Sequence, residues 1–207
     1  MTHASNKFTL IVIDCQNDFS KKDGKMYIKN ADKVIENIVN FIEENKDNIH
    51  KVIFTKDNHS PKHMSFRKNG GTWPEHCIAE TEGSMINQDL IDVCEKNELL
   101  YNFLNKGEVD NFEEYTSSLY SEYADGAFIQ KTLTDTTKIY TKDIVICGMP
   151  GETSVAASAN GLIEQLGQNH VSIFIDGIAN INSNNEIIKI IEDNVDVNII
   201  YNSSTKF

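Results

Sequence analysis

Four groups of residues in this chain have types and spacings that could do chemistry. Asp57-Asn-His59, with His76 farther along the same polar stretch, offers one carboxylate and two imidazoles. Such a set binds a divalent transition metal and leaves positions open for water or substrate. Asp-x-His is also short and common, so the same residues can be solvated side chains of a loop. His63 is either a further ligand or a supporting or surface residue. Asp14 ends an apolar run and Lys106 ends another. An acid there can serve as a general base, and a lysine beside it can hold it and stabilise an oxyanion. An ion pair closing a strand end would look the same. Phe19 and Trp73, aromatic residues in polar surroundings, can sandwich a planar ligand or anchor their loops. Ser154 follows the turn Gly148-Met149-Pro150-Gly151 and precedes a run of small residues. It can be a nucleophile or the N-cap of a helix. Met149-Pro150 is a candidate cis bond, since only X–Pro bonds adopt cis cheaply.

The elements that must position these groups follow from hydrophobic periodicity. Apolar runs at Phe8–Ile13, Lys51–Lys56, Leu99–Leu104, Ile144–Cys147, Val171–Ile175 and Val195–Tyr201 are expected strands. Ala127–Gln130 is a weaker one. Val34, Ile38, Phe41 and Ile42 share one helical face after Asn30, and helices are expected at Ile86–Glu95, Ser154–Leu166 and Glu186–Glu192. The tyrosine- and serine-rich segment 113–124 is read as helical, and 132–141 as helix or turn. Gln16–Gly24 is a polar loop, and Asn58–Gly83 a long functional one. Strands alternating with helices indicate an α/β fold with a parallel sheet covered on both faces, in a single domain over 1–207. Ligands of such sheets sit beyond the carboxyl ends of the strands. Asp14, Asp57, Lys106 and the turn before Ser154 all fall there, on one rim.

The formal net charge of −12 argues against nucleic acid and anionic membrane surfaces as partners. Four cysteines far apart, with no CxxC spacing, suggest a reducing compartment and no disulfide framework. The first seven residues hold no apolar leader, and no run approaches membrane-spanning length, so a cytoplasmic location is expected.

Ile13-Asp-Cys-Gln-Asn-Asp-Phe19, Asp57-Asn-His-Ser-Pro-Lys-His-Met-Ser-Phe66, Trp73-Pro-Glu-His-Cys77, Lys106-Gly107 and Val145-Ile-Cys-Gly148 form an ordered set covering nearly the whole chain. In order and approximate spacing this set resembles the nicotinamidase/pyrazinamidase branch of the isochorismatase-like cysteine hydrolases. The resemblance implies a three-layer sandwich around a six-stranded parallel sheet. It implies one divalent metal, zinc first with iron or manganese as alternatives, held by Asp57, His59 and His76. Phe19 and Trp73 would flank a pyridine ring, and Asp14 and Lys106 would be two members of a catalytic triad. The partner would be a small heteroaromatic amide or acid, in NAD metabolism and pyridine nucleotide salvage, and a homo-oligomer is compatible with it.

The third member of the family triad is a cysteine, and here the sequence departs. The family pattern Gly-x-Ala-x-Asp-x-Cys-Val falls on Gly148-Met-Pro-Gly-Glu-Thr-Ser154-Val155, so Ser154 takes the nucleophile position. A serine hydroxyl ionises far less readily than a thiol. Pro150 falls where the family draws a second oxyanion N–H, and proline has none to give. The expected function is a metal-dependent amidohydrolase whose activity is impaired or altered. The alternative is an inactive binding protein on the same scaffold. An isochorismatase-type hydrolase fits less well, because that branch lacks the metal histidines.

Overall fold

A computed structural model describes residues 7–116, 119–124, 127–132, 141–182 and 185–202, with side chains described outside 117–140. β1 (Phe8–Ile13) is buried along its whole length. A short helix α1 (Asn17–Ser20) follows it, then α2 (Ala31–Asn45), β2 (Ile49–Asp57), α3 (Gln88–Lys96) and β3 (Tyr101–Lys106). A hairpin of β4 (Leu119–Ala124) and β5 (Ala127–Thr132) stands apart as a two-stranded antiparallel sheet. The chain then forms β6 (Ile144–Gly148), the wide turn Gly151–Val155, α4 (Ala156–Leu166), β7 (Val171–Ile178), α5 (Asn185–Asp193) and β8 (Asn198–Ile200).

Six strands make one parallel sheet in the order β3-β2-β1-β6-β7-β8. Because side chains alternate along a strand, β1 feeds two cores. Leu10 and Val12 join Val34, Ile38, Leu90 and Val93 of α2 and α3. Ile11 and Ile13 join Ala159, Leu162, Ile187 and Ile190 of α4 and α5. This is the expected three-layer sandwich, and near-continuous apolar strands are what burial on both faces requires. From β1 the chain runs to β2 and β3 on one side, while β6 pairs with β1 on the other. The strand order therefore reverses between β1 and β6, where ligands of open α/β sheets bind. Asp14 and the Gly148 turn flank that point. No helix among the described residues is long and apolar enough to cross a membrane.

Three expectations are corrected. Residues 119–124 are a strand rather than the end of a helix. The signal was present in Asp125-Gly126, a pair suited to two-residue hairpin connections, beside aromatic residues that favour strands. The expected helix over 154–166 begins with a turn of π type, in which the Val155 N–H donates to the Pro150 carbonyl at 3.1 Å. The last strand shortens to three residues. A turn closed by Val197 N–H donating to Asn194 O delays its start. The segment read as helix or turn lies mostly outside the described residues.

Candidate active site

The site is built at adjacent strand ends. β2 and β3 pair in a register that sets Asp57 opposite Lys106, and the backbone N–H of Asp14 donates to Thr55 O at 3.1 Å. Strand pairing alone thus brings three distant charged residues together. Lys106 Nζ lies 2.7 Å from Asp14 Oδ2 and also bonds Asp57 Oδ1. Thr55 Oγ1 donates to the other Asp14 oxygen at 2.8 Å. All three charged groups are buried, so each depends on its partners. Burial would lower the Lys106 pKa, but the two carboxylates hold it above the usual lysine range. Burial would raise that of Asp57, but Lys106 and His59 hold it far below the usual carboxylate range. For Asp14 burial prevails over Lys106, and its pKa is raised. Asp14 also has φ +45°, a left-handed conformation uncommon outside glycine and tolerated best by Asp and Asn.

Asp57, His59 and His76 converge as expected. One ligand atom from each lies within 4.8 Å of the others, and all three residues are buried. His59 Nδ1 bonds the Gly107 carbonyl at 2.8 Å, and His76 Nδ1 bonds the Pro74 carbonyl at 2.8 Å. A carbonyl only accepts, so each Nδ1 carries a hydrogen and each Nε2 is the ring atom left to bind a metal. Those Nε2 atoms lie 3.7 and 3.9 Å from Asp57 Oδ2. Two imidazoles and a carboxylate, with both rings oriented from behind by backbone carbonyls, fit a divalent transition metal. Gly107 permits this: its φ is +66°, and a Cβ there would stand 2.4 Å from the His59 ring.

His63 is not positioned as a ligand, nor is it a surface residue. It is fully buried, its Nδ1 faces Ser65 Oγ at 2.8 Å and its Nε2 faces the Phe112 carbonyl at 3.0 Å. Its ring packs on His59 at 4.1 Å between centroids, and burial pushes its pKa down.

A narrow pocket, partly open to solvent, reaches this centre. Phe19, Trp73, Pro150 and Ser154 line it together with Asp57 and His76. Phe19, Trp73 and Ser154, far apart in sequence, thus share one pocket. Asp14 and Lys106 are not in the lining. The Ser154 side chain is no helix N-cap: Ser154 lies inside the turn Gly151–Val155, and Val155 precedes the α-helix. Met149–Pro150 is cis. Gly148 has φ +125°, and a Cβ on it would strike Ile13 O at 2.1 Å, so only glycine lets β6 turn this close to β1. Among the cysteines, burial pushes the thiols of Cys15, Cys77 and Cys147 well up, and that of Cys94 to about 12. None of these is an activated nucleophile.

Sequence reasoning missed part of the wall. Met26, Glu113, Tyr115 and Ile181 also line the pocket. Trp73 Nε1 donates to Tyr115 Oη at 3.1 Å, which ties the two aromatics together. Burial raises the pKa of Glu113 above the usual carboxylate range. Glu114 accepts from the Gly107 N–H at 2.7 Å and so steadies the turn behind His59. Nothing in the local sequence marked these residues, because Met26 lies in the turn before α2, Glu113 to Tyr115 in the irregular stretch after β3, and Ile181 in the one after β7. Glu152 holds Ile181 in place by accepting from the N–H groups of Ile181 and Asn182 at 3.0 and 2.7 Å.

The comparisons with known proteins bear on the fold. Residues 8–101 match the isochorismatase domain. The nicotinamidase of Saccharomyces cerevisiae is 28% identical over 108 residues, 41% of this chain and 50% of that protein, so the match spans half the length of that relative. The crystal structure of the yeast nicotinamidase bound to the inhibitor nicotinaldehyde aligns with TM-score 0.76 and 23% identity, over 93% of this chain and 99% of that one. The Pyrococcus horikoshii pyrazinamidase in complex with zinc aligns with TM-score 0.72 and 24% identity, over 94% and 99%. At these identities the structural likenesses carry the fold. Sequence similarity to the isochorismatase domain thus covers residues 8–101, and the fold is shared with these solved structures over nearly the whole chain.

Proposed function

We propose that this protein is a metal-dependent amidohydrolase that converts nicotinamide, or a related small heteroaromatic carboxamide, to the acid and ammonia. The observation that carries the reading is the shared pocket. One narrow space is lined by a candidate metal ligand pair, Asp57 and His76, by the aromatic side chains of Phe19, Trp73 and Tyr115, and by Ser154. The relatives named above act on or bind compounds of this kind. Asp57, His59 and His76 would hold the metal, with zinc first among candidates given two imidazoles and a carboxylate. When bound, it supplies a Lewis-acid site for the substrate's ring nitrogen.

The remaining chemistry belongs to the chain. Phe19 and Trp73 confine the flat ring and exclude water. Asp14 takes the proton of Ser154 Oγ as that oxygen bonds to the carboxamide carbon. Collapse of the tetrahedral adduct breaks the C–N bond, and the proton passes from Asp14 to the departing ammonia. Water then cleaves the ester with Asp14 again as base, which releases the acid and restores the serine. Lys106 keeps Asp14 in place and offsets its charge.

This step is slow for two independent reasons. Ser154 is a weaker nucleophile than a thiolate, and Pro150 brings no N–H to the developing oxyanion. Loss of one such donor costs about 10²–10³ in rate. Those two residues also favour a second reading, a protein that binds such ligands without turning them over. Ammonia release from nicotinamide by zinc-loaded protein tests the first reading. No release above background from folded, metal-replete protein that still binds nicotinamide in calorimetry selects the second. Neither binding nor release sinks both.

A further inference from the structure

The segment just after β1 sends two buried polar side chains away from the pocket. Gln16 is fully buried and Asp18 nearly so. Neither lines the pocket, and the acyl-transfer steps do not use them. Gln16 Nε2 donates to Asp57 O at 2.7 Å and to Ser84 O at 2.9 Å, and Gln16 Oε1 accepts from the Asp57 N–H at 2.8 Å. Both amide hydrogens and the amide oxygen are thus engaged, two of the three bonds on one residue.

The reason lies in the sheet. β2 runs between β1 and β3, but the register of β1 with β2 ends at Val12 and Phe54, and Asp14 reaches only Thr55. By Asp57 the backbone has lost its neighbour on that side, while β3 still covers the other through Lys106. The Gln16 amide, which carries the same donor and acceptor as a peptide group, stands in for the missing strand.

Asp18 does the corresponding work on the loop. Its Oδ2 accepts from the Cys77 N–H at 2.7 Å, and its Oδ1 from the Lys25 N–H at 3.1 Å. Cys77 directly follows His76 and has φ +47°, a conformation that needs outside support. Gly83 packs so closely on the Asp18 carboxylate that a Cβ would sit 2.3 Å from it. Phe19, next in sequence, packs on the His76 ring at 5.3 Å.

We infer that Gln16 and Asp18 are positioning residues that brace the candidate metal centre, setting Asp57 against His76 through the backbones of Asp57 and Cys77. Asp57 ends a strand and His76 lies on a long loop, so nothing local fixes the distance between them. One short stretch grips both. The inference rests on reading Asp57, His59 and His76 as metal ligands. Groups that orient ligands from behind typically change metal affinity by about 10–100-fold.

The test uses the full-length chain stripped of metal and titrated with Zn²⁺ against a chelating indicator and with Co²⁺ by visible absorption. Gln16→Met keeps length and loses every hydrogen bond; Asp18→Asn is isosteric and replaces an acceptor with a donor. Each is expected to weaken the Zn²⁺ Kd by about 10–100-fold and to shift the Co²⁺ d–d bands, which report ligand geometry. Asn45→Leu is the control, since Asn45 is a buried amide on α2 that bonds Phe41 O. It should lower Tm and leave the Kd and the bands alone. Unchanged affinity and bands in a folded Gln16→Met or Asp18→Asn variant overturn the brace, as does equal weakening in Asn45→Leu. If Gln16→Met does not fold, Asp18→Asn decides alone. A wild-type chain that binds neither ion overturns the ligand reading itself, a result distinct from all of these.

Discussion

Lys106 Nζ stands 2.7 Å from Asp14 Oδ2 and, in the same pose, bonds Asp57 Oδ1. One buried ammonium therefore joins the candidate base to a candidate metal ligand. The arrangement places the lysine in both halves of the site and makes its charge structural as well as chemical. Removing it leaves two carboxylates buried with no cation between them.

Lys106→Met is accordingly expected to destabilise the metal-free protein by about 3–5 kcal/mol, the usual cost of breaking a buried ion pair from one side. Urea unfolding followed by circular dichroism measures it. A loss below about 1 kcal/mol, the range of surface pairs, would contradict the buried triad.

Ser154→Cys is expected to raise amide hydrolysis by on the order of tenfold or more, because a thiol ionises far more readily than a hydroxyl near neutral pH. Ser154→Ala should remove what activity there is. Equal rates in wild type, Cys and Ala forms would take the side chain out of the reaction.

His59→Ala and His76→Ala should each abolish tight zinc binding, and a strong chelator should silence the wild type reversibly. His63→Leu should behave differently. It removes the hydrogen bonds of His63 to the Phe112 carbonyl and Ser65 Oγ, at a cost of about 1–3 kcal/mol, while zinc stays bound. Elemental analysis after dialysis separates the two patterns.

Gly107→Ala puts a methyl group into the His59 ring and a side chain at φ +66°. Strained backbone of this kind costs of order 1–3 kcal/mol. The expected signs are a lower Tm and weaker zinc binding together, since the Gly107 carbonyl orients His59.

The pH profile tests Asp14. Burial holds its carboxyl above the ordinary value of 3.8, against the pull of Lys106. Only the ionised form can accept the Ser154 proton, so activity falls as pH drops through this raised pKa. The acid limb of kcat/KM should therefore lie higher than a solvent-exposed aspartate would give. A profile of the Ser154→Cys form flat down to about pH 4, near the ordinary carboxylate value, would exclude Asp14 as the base.

The sequence by itself determined the strands and the rim. Runs such as Phe8–Ile13 and Ile144–Cys147 are apolar without interruption because both faces are buried, and that pattern is local. It was enough to place Asp14, Asp57, Lys106 and Ser154 at strand ends, whereas the Asp-x-His spacing with His76 left a metal set and solvated loop residues both open until the ordered motifs were read together. The same reading misplaced 113–124, of which Leu119–Ala124 is a strand paired antiparallel with Ala127–Thr132. Only the tertiary structure decided that Lys106 serves Asp57 as well as Asp14, that His63 supports His59 from behind, and that Gln16 replaces a strand beside Asp57. Those roles depend on hydrogen bonds between residues 41 to 68 positions apart. Such bonds follow from sheet register and backbone course, which no short-range period in the sequence encodes.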